Sequence, residues 1–168
     1  MKKEELYKYL ELLGEELKKD GYHGEIILTG GAAMCLVHSA RDMTKDIDAL
    51  YEPKSMINDY VQKIAENNNL PKDWLNDSVK GFVDNKLKYD SFKKLPGLDI
   101  NVVTVDYLLA MKLLSSRQGE KDVDDIKFLL NKMNIKTYDE AIKVLLTFYD
   151  EKRILPKTRY VLEGIFDK

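Results

Sequence analysis

The sequence predicts an α/β (α+β) fold: a small mixed β-sheet flanked by helices, followed by a C-terminal helical part. Three observations carry this. Three short apolar runs, at 25–29, 46–51 and 98–103, read as strands. Helical stripes alternate with the first two of them, and beyond residue 104 only helical patterns follow, which favours a mixed sheet ahead of a helical tail. With 168 residues, the chain is long enough for one domain with a helical annex.

Taken in order, Leu6, Leu10, Leu13 and Leu17 form one stripe of an amphipathic helix, and Asp20-Gly21 ends it in turn chemistry. Residues 25–29 follow as a buried strand. Gly30-Gly31 breaks that strand and opens a small-residue, apolar helix over 32–40. The second strand, 46–51, is stopped by Pro53. Ile57, Tyr60, Val61 and Ile64 then trace a helix over 54–67, which Asn67-Asn68-Asn69 ends. Pro71 suits the first turn of a further helix, with Trp74 anchoring it to the core. Pro96-Gly97 introduces the third strand. Helices are expected at 105–117, at 122–133 after Gly119, from Thr137 onward, and from Pro156 onward. Thr137-Tyr138-Asp139-Glu140 fits the capping-box pattern. The expected organisation is a core over 1–104 with an N-terminal helix, and a helical part over 105–168 packed on it as a single compact unit.

Composition narrows the function. The chain is 44% hydrophobic and 33% charged, with nine Gly and four Pro, which is a globular balance. Charge recurs too often for the ~20 apolar residues of a membrane span. The opening MKKEELYKYL carries Glu where a signal peptide would need its apolar stretch. The lone Cys35 fits a reducing compartment, so a cytoplasmic location is expected. A net charge of −2 argues against strong nonspecific DNA binding. A bidentate grip on phosphate must come from Arg41, Arg117, Arg153 or Arg159.

The stretch LTGGAAMCLVHSARDMTKDIDALY, residues 28–51, concentrates the chemistry. Asp46 and Asp48 lie two apart in a strand-like run, so both carboxylates project from one side, ~6 to 7 Å apart, while Ile47 and Ala49 face the core. Such a pair is either a solvated strand end or a set of hard oxygen ligands for Mg²⁺. Gly30-Gly31, between a strand and a helix, is either a tight packing turn or a backbone cradle for phosphate. No GxGxxG and no GxxxxGK[ST] occurs, so neither a dinucleotide fold nor a P-loop is supported.

Together, Gly30-Gly31, a helix-length gap and Thr44-Lys45-Asp46-Ile47-Asp48 resemble the signature of the nucleotidyltransferase superfamily, hG[GS] followed by [ST]xDxD. The gap is slightly longer than usual, and Ala32 stands where some members carry a polar residue. Arg41, Trp74-Leu75-Asn76-Asp77, Leu108-Leu109-Ala110-Met111-Lys112 and Lys121-Asp122-Val123-Asp124-Asp125 extend the likeness to the DUF6036 branch, related to the AbiEii-type nucleotidyltransferase toxins, over roughly residues 22 to 166.

The resemblance implies a nucleotidyltransferase fold and a set of roles. Gly30 and Gly31 would hold nucleotide phosphates, with Thr44, Lys45 and Arg41 in the same nucleotide-binding region. Asp46 and Asp48 would ligate Mg²⁺ or Mn²⁺. Asp99 is the position that could supply a third metal-ligating carboxylate, or it is a strand-end residue. Lys112 and Asp122 match a Lys and an Asp of the AbiEii-type site. As structural residues they would be a snorkelling lysine and a helix N-terminal acid, and Asp125 could replace Asp122 in the cleft.

The leading expectation is thus an enzyme that moves a nucleoside monophosphate from an NTP to an acceptor hydroxyl on RNA (a tRNA end included), a protein or a small molecule. The toxin half of a toxin–antitoxin pair, with a cognate antitoxin as partner, is the biology the likeness implies. The alternative is the same fold kept as a catalytically inactive nucleotide-binding or protein-interaction module. Metal-dependent hydrolysis at the same carboxylates ranks third.

Overall fold

The computed structural model describes residues 1–115 and 120–167, with the backbone but not the side chain of Glu120. It divides into two compact units, Met1–Gly81 with Tyr89–Val103, and Phe82–Lys88 with Thr104–Lys168. The segment 82–88, expected with the core, therefore belongs to the helical unit. Arg117 and Gly119 fall outside the described residues.

The first unit contains α1 (Lys3–Lys19), β1 (Gly24–Leu28), α2 (Gly30–Ala32, continuing as a π-helical turn Ala33–Val37), β2 (Ile47–Glu52), α3 (Lys54–Asn68), β3 (Leu75–Asn76), all but the last residue of a 3₁₀ turn (Ser78–Phe82), β4 (Tyr89–Leu95) and β5 (Leu98–Val103). The five strands form one mixed sheet in the order β3-β2-β1-β5-β4. β1 runs antiparallel to β2 and parallel to β5, β2 is parallel to β3, and β4 returns antiparallel to β5. Ile26, Leu28, Ile47, Ala49, Leu98 and Ile100 are all fully buried. The helices α1, α2 and α3 pack against the sheet. Each buried aliphatic side chain stabilises the unit by about 1.5–3 kcal/mol relative to exposure.

The strands at 25–29, 46–51 and 98–103 appear as β1, β2 and β5 within a residue of expectation. Two strands were not foreseen. β3 has two residues, too few for any periodicity. β4, Tyr-Asp-Ser-Phe-Lys-Lys-Leu, is a largely exposed edge strand with a bulge near Ser91, so it lacks a buried face to generate alternation. The helix anticipated after Pro71 is instead a turn leading into β3. Trp74 remains an anchor. Its indole Nε1 donates to the Val61 carbonyl on α3 at 3.0 Å, and its ring lies 5.8 Å from that of Tyr9 on α1. The helix expected at 32–40 starts at Gly30 and ends at Val37.

The second unit contains α4 (Val105–Ser115), α5 (Glu120–Lys132), α6 (Tyr138–Phe148), a 3₁₀ turn (Glu151–Arg153) and α7 (Pro156–Phe166). α4 is buried continuously from Tyr107 to Leu114, as befits a helix packed against both α5 and α6. Tyr107 meets Phe148 edge-on at 4.9 Å, and the Thr158 hydroxyl of α7 donates to the Leu113 carbonyl at 2.9 Å. The capping box at Thr137 is present: the Glu140 amide donates to Thr137 Oγ1 at 3.2 Å, and the Thr137 amide donates to Glu140 Oε2 at 3.1 Å. No described helix is long and apolar enough to cross a membrane.

Candidate active site

The end of β1 and the start of β2 build an acidic corner. The Thr29 amide donates to the Asp48 carbonyl at 3.0 Å, and the Thr29 hydroxyl bonds the same oxygen at 3.0 Å, so the glycine turn is pinned to the aspartate strand. Gly30 has φ +51°, the left-handed region that favours glycine, and a Cβ there would lie 3.0 Å from Asp48 Oδ2. A side chain at Gly31 would collide with the Thr44 hydroxyl and lie 3.5 Å from Arg41 Nη1. Gly30 is therefore favoured by its backbone conformation and Gly31 by close approach. Gly30, Gly31, Arg41, Thr44 and Asp48 are thus brought together at one corner.

Thr44 is buried, and its hydroxyl donates to the Asp46 carbonyl at 3.2 Å. Its amide donates to the Met1 carbonyl at 3.0 Å, and the Met1 ammonium donates to the Thr44 carbonyl at 2.5 Å. The loop leading into the two aspartates is thus stitched to the start of α1. Lys45 is exposed beside it.

Asp46 stands one residue ahead of β2, and Asp48 lies within it. Ile47 and Ala49 are fully buried, so the alternation expected from the sequence holds. Burial pushes the Asp46 carboxyl above the usual carboxylate range. The negative charge of Asp48 adds to that shift, and the ammonium of Lys45 opposes it. Asp48 Oδ1 accepts a hydrogen bond from the Ser78 hydroxyl at 3.1 Å. Next to Ser78, the Asp77 carboxylate pairs with Lys54 and lies 3.7 Å from Lys80 Nζ, and Lys54 holds it below the usual carboxylate range.

Asp99 is not brought to this corner. It stands level with Glu25, which in turn is level with Glu52 at the far end of β2. Asp48 lies at the other end, past Ala49 and Leu28. Four residues of strand separate the two levels, about 13 Å at ~3.3 Å per residue, with β1 in between. Asp99 instead lies 3.3 Å from His23 Nε2. Its expected place as a third metal-ligating carboxylate is corrected on register: the β5 residue beyond the Leu28–Val102 pair, at the level of Asp48, is the apolar Val103. On the same face, Asn101 donates to Glu25 Oε1 at 2.6 Å. Among the described residues, no group of three or more His, Cys, Asp or Glu is placed to hold a metal ion.

In the second unit, Lys112 and Asp122 do meet. Lys112 Nζ lies 3.4 Å from Asp122 Oδ1 and 2.6 Å from Asp125 Oδ2. Asp125 is the more deeply buried acid, at 3% exposure against 31% for Asp122, so it is the fixed partner of the lysine and Asp122 the accessible one.

Sequence reasoning missed Ser78. It reaches Asp48 through a two-residue strand and a short turn, which leave no periodic or motif signal. The pairing of Asp48 with Asn76 on β3 is the tertiary fact that brings it there. A family model described as a nucleotidyltransferase of unknown function (DUF6036) matches residues 5–159. No curated protein and no solved structure matches the chain.

Proposed function

The chain belongs to the DUF6036 family of nucleotidyltransferases, and on that premise we propose that it transfers a nucleoside monophosphate from an NTP to an acceptor hydroxyl, with Asp46 and Asp48 as the metal-binding carboxylates. The observation that carries the reading is the glycine corner packed against Asp48, where a Cβ on Gly30 would crowd the carboxylate.

The donor set fits Mg²⁺ or Mn²⁺. Two carboxylates give hard oxygen ligands, and such an ion takes the rest of its shell from water and substrate phosphates. Bound there, it supplies Lewis-acid polarisation of the α-phosphate and neutralises developing charge. The chain's own groups orient the nucleotide. The amides that open α2 at Gly30 and Gly31 present N–H donors and the positive helix end to phosphate. Arg41, beside Gly31, offers a guanidinium fork to the same oxygens, and Lys45 adds positive charge at the entrance. The acceptor oxygen forms its bond to the α-phosphorus as the bond to the pyrophosphate oxygen breaks, and the hydroxyl proton is released. The reading rests on the first unit alone.

The acceptor is taken as RNA, a tRNA end in particular, a protein hydroxyl or a small molecule. The likeness to the AbiEii-type toxins supports a toxin role with a cognate antitoxin. Purified chain incubated with each α-labelled NTP, Mg²⁺ or Mn²⁺ and total RNA is expected to give a labelled product. Asp46→Ala with Asp48→Ala should abolish it.

Val103 at the level of Asp48 favours a second reading, an inactive nucleotide-binding module. Calorimetry separates the two: saturable Mg²⁺–NTP binding without turnover supports the module, and turnover excludes it.

A further inference from the structure

Beyond the two aspartates, the segment that follows β3 carries a polar group aimed at one of them. The Asn76 side-chain oxygen accepts the Ser78 amide at 3.0 Å, and the Asn76 amide group donates to the Asp73 carbonyl at 3.1 Å. This Asx turn sets the backbone at Ser78. The Ser78 hydroxyl then donates to Asp48 Oδ1 at 3.1 Å. The other carboxylate oxygen, Oδ2, faces Gly30. Asp48 is therefore held on one side by a hydroxyl from the turn after β3, while its other oxygen lies against the glycine corner that follows β1.

We propose that Ser78 is a positioning residue for Asp48, fixing the rotamer in which that carboxylate receives a divalent cation. The inference rests on the reading of Asp46 and Asp48 as metal ligands. A ligating carboxylate free to rotate must be ordered at the moment of binding, whereas one already hydrogen-bonded has its orientation set, and removing such an outer partner typically weakens a metal about 10- to 100-fold. Ser78 is exposed and supports no buried packing, so its loss should act on the carboxylate and leave the fold intact.

The test is Mn²⁺ affinity of the full chain, read from the spin-resonance signal of free Mn²⁺, with thermal unfolding measured alongside. Ser78→Ala is expected to weaken Mn²⁺ about 10-fold with an unchanged melting temperature. Ser78→Thr, which keeps the hydroxyl, should restore affinity. If Asp48→Ala abolishes binding while Ser78→Ala binds as wild type does, the positioning role is overturned and the metal reading stands. A Ser78→Thr protein as weak as Ser78→Ala would also overturn it. Wild type and Asp48→Ala binding Mn²⁺ equally would overturn both the metal reading and the inference.

Discussion

On α4, the Lys112 ammonium sits 2.6 Å from Asp125 and 3.4 Å from Asp122, so a buried cation is met by two carboxylates. At the start of β2, Asp46 is half-buried with the like charge of Asp48 beside it, and its carboxyl is pushed up by burial first and by that charge second. The first cluster is compensated within its own unit. The second gathers like charge, and Asp48 there accepts from a neutral hydroxyl. The first sets opposite charges together and the second like ones, so under the proposed reading the second is the cluster a bound cation would balance.

The largest effect should come from breaking the compensated cluster. Lys112→Ala leaves Asp125 buried without its ammonium and is expected to cost about 3–5 kcal/mol in denaturant unfolding. Lys112→Met combined with Asp125→Leu should recover most of that loss, because neither charge is then stranded. A single Lys112→Ala cost below about 1 kcal/mol would erase the contrast between the clusters.

The acidic corner should behave in the opposite way. Asp48→Ala is expected to lower transfer by at least about 100-fold, some 2.7 kcal/mol of transition-state stabilisation. Its unfolding free energy should stay within about 0.5 kcal/mol of wild type. Steady-state transfer rates and urea unfolding on the same preparation check both halves.

Gly31→Ala tests the glycine corner itself. Its Cβ meets the Thr44 hydroxyl, and the overpacking should cost about 1–3 kcal/mol. Thr44→Ala in the same chain should remove much of that cost, a coupling that a double-mutant cycle reads directly.

The smallest effect concerns Asp46. A carboxyl raised above its unfolded-state value contributes stability below the ordinary carboxylate range and loses it as pH rises through the raised value. Asp46→Asn should therefore raise the melting temperature at neutral pH, by about 1–2 °C in chelator. The gain should vanish on acidification, when the wild-type carboxyl is neutral too.

What the sequence reveals follows physical range. β1, β2 and β5 are legible because their buried faces impose apolar residues, and Ile47 and Ala49 alternate with Asp46 and Asp48 for that reason. The glycine corner is legible because Gly30 takes a positive φ and Gly31 sits under a close contact. The edge strand β4 and the two-residue β3 are not, since neither has a face that burial patterns. Asp99 misled because acid type and strand location can be read locally, whereas its level relative to Asp48 is set by pairing of β5 through β1. Ser78 stayed hidden for the same cause, its approach to Asp48 being a product of β2–β3 register.

The most direct test of the central claim compares transfer from α-labelled and γ-labelled NTP in parallel, with wild type and with the chain carrying Asp46→Ala and Asp48→Ala. The account predicts that the α-label enters an acceptor, that the γ-label leaves as pyrophosphate, and that the double variant does neither. Transfer of the γ-label, release of orthophosphate, or a double variant indistinguishable from wild type would contradict it.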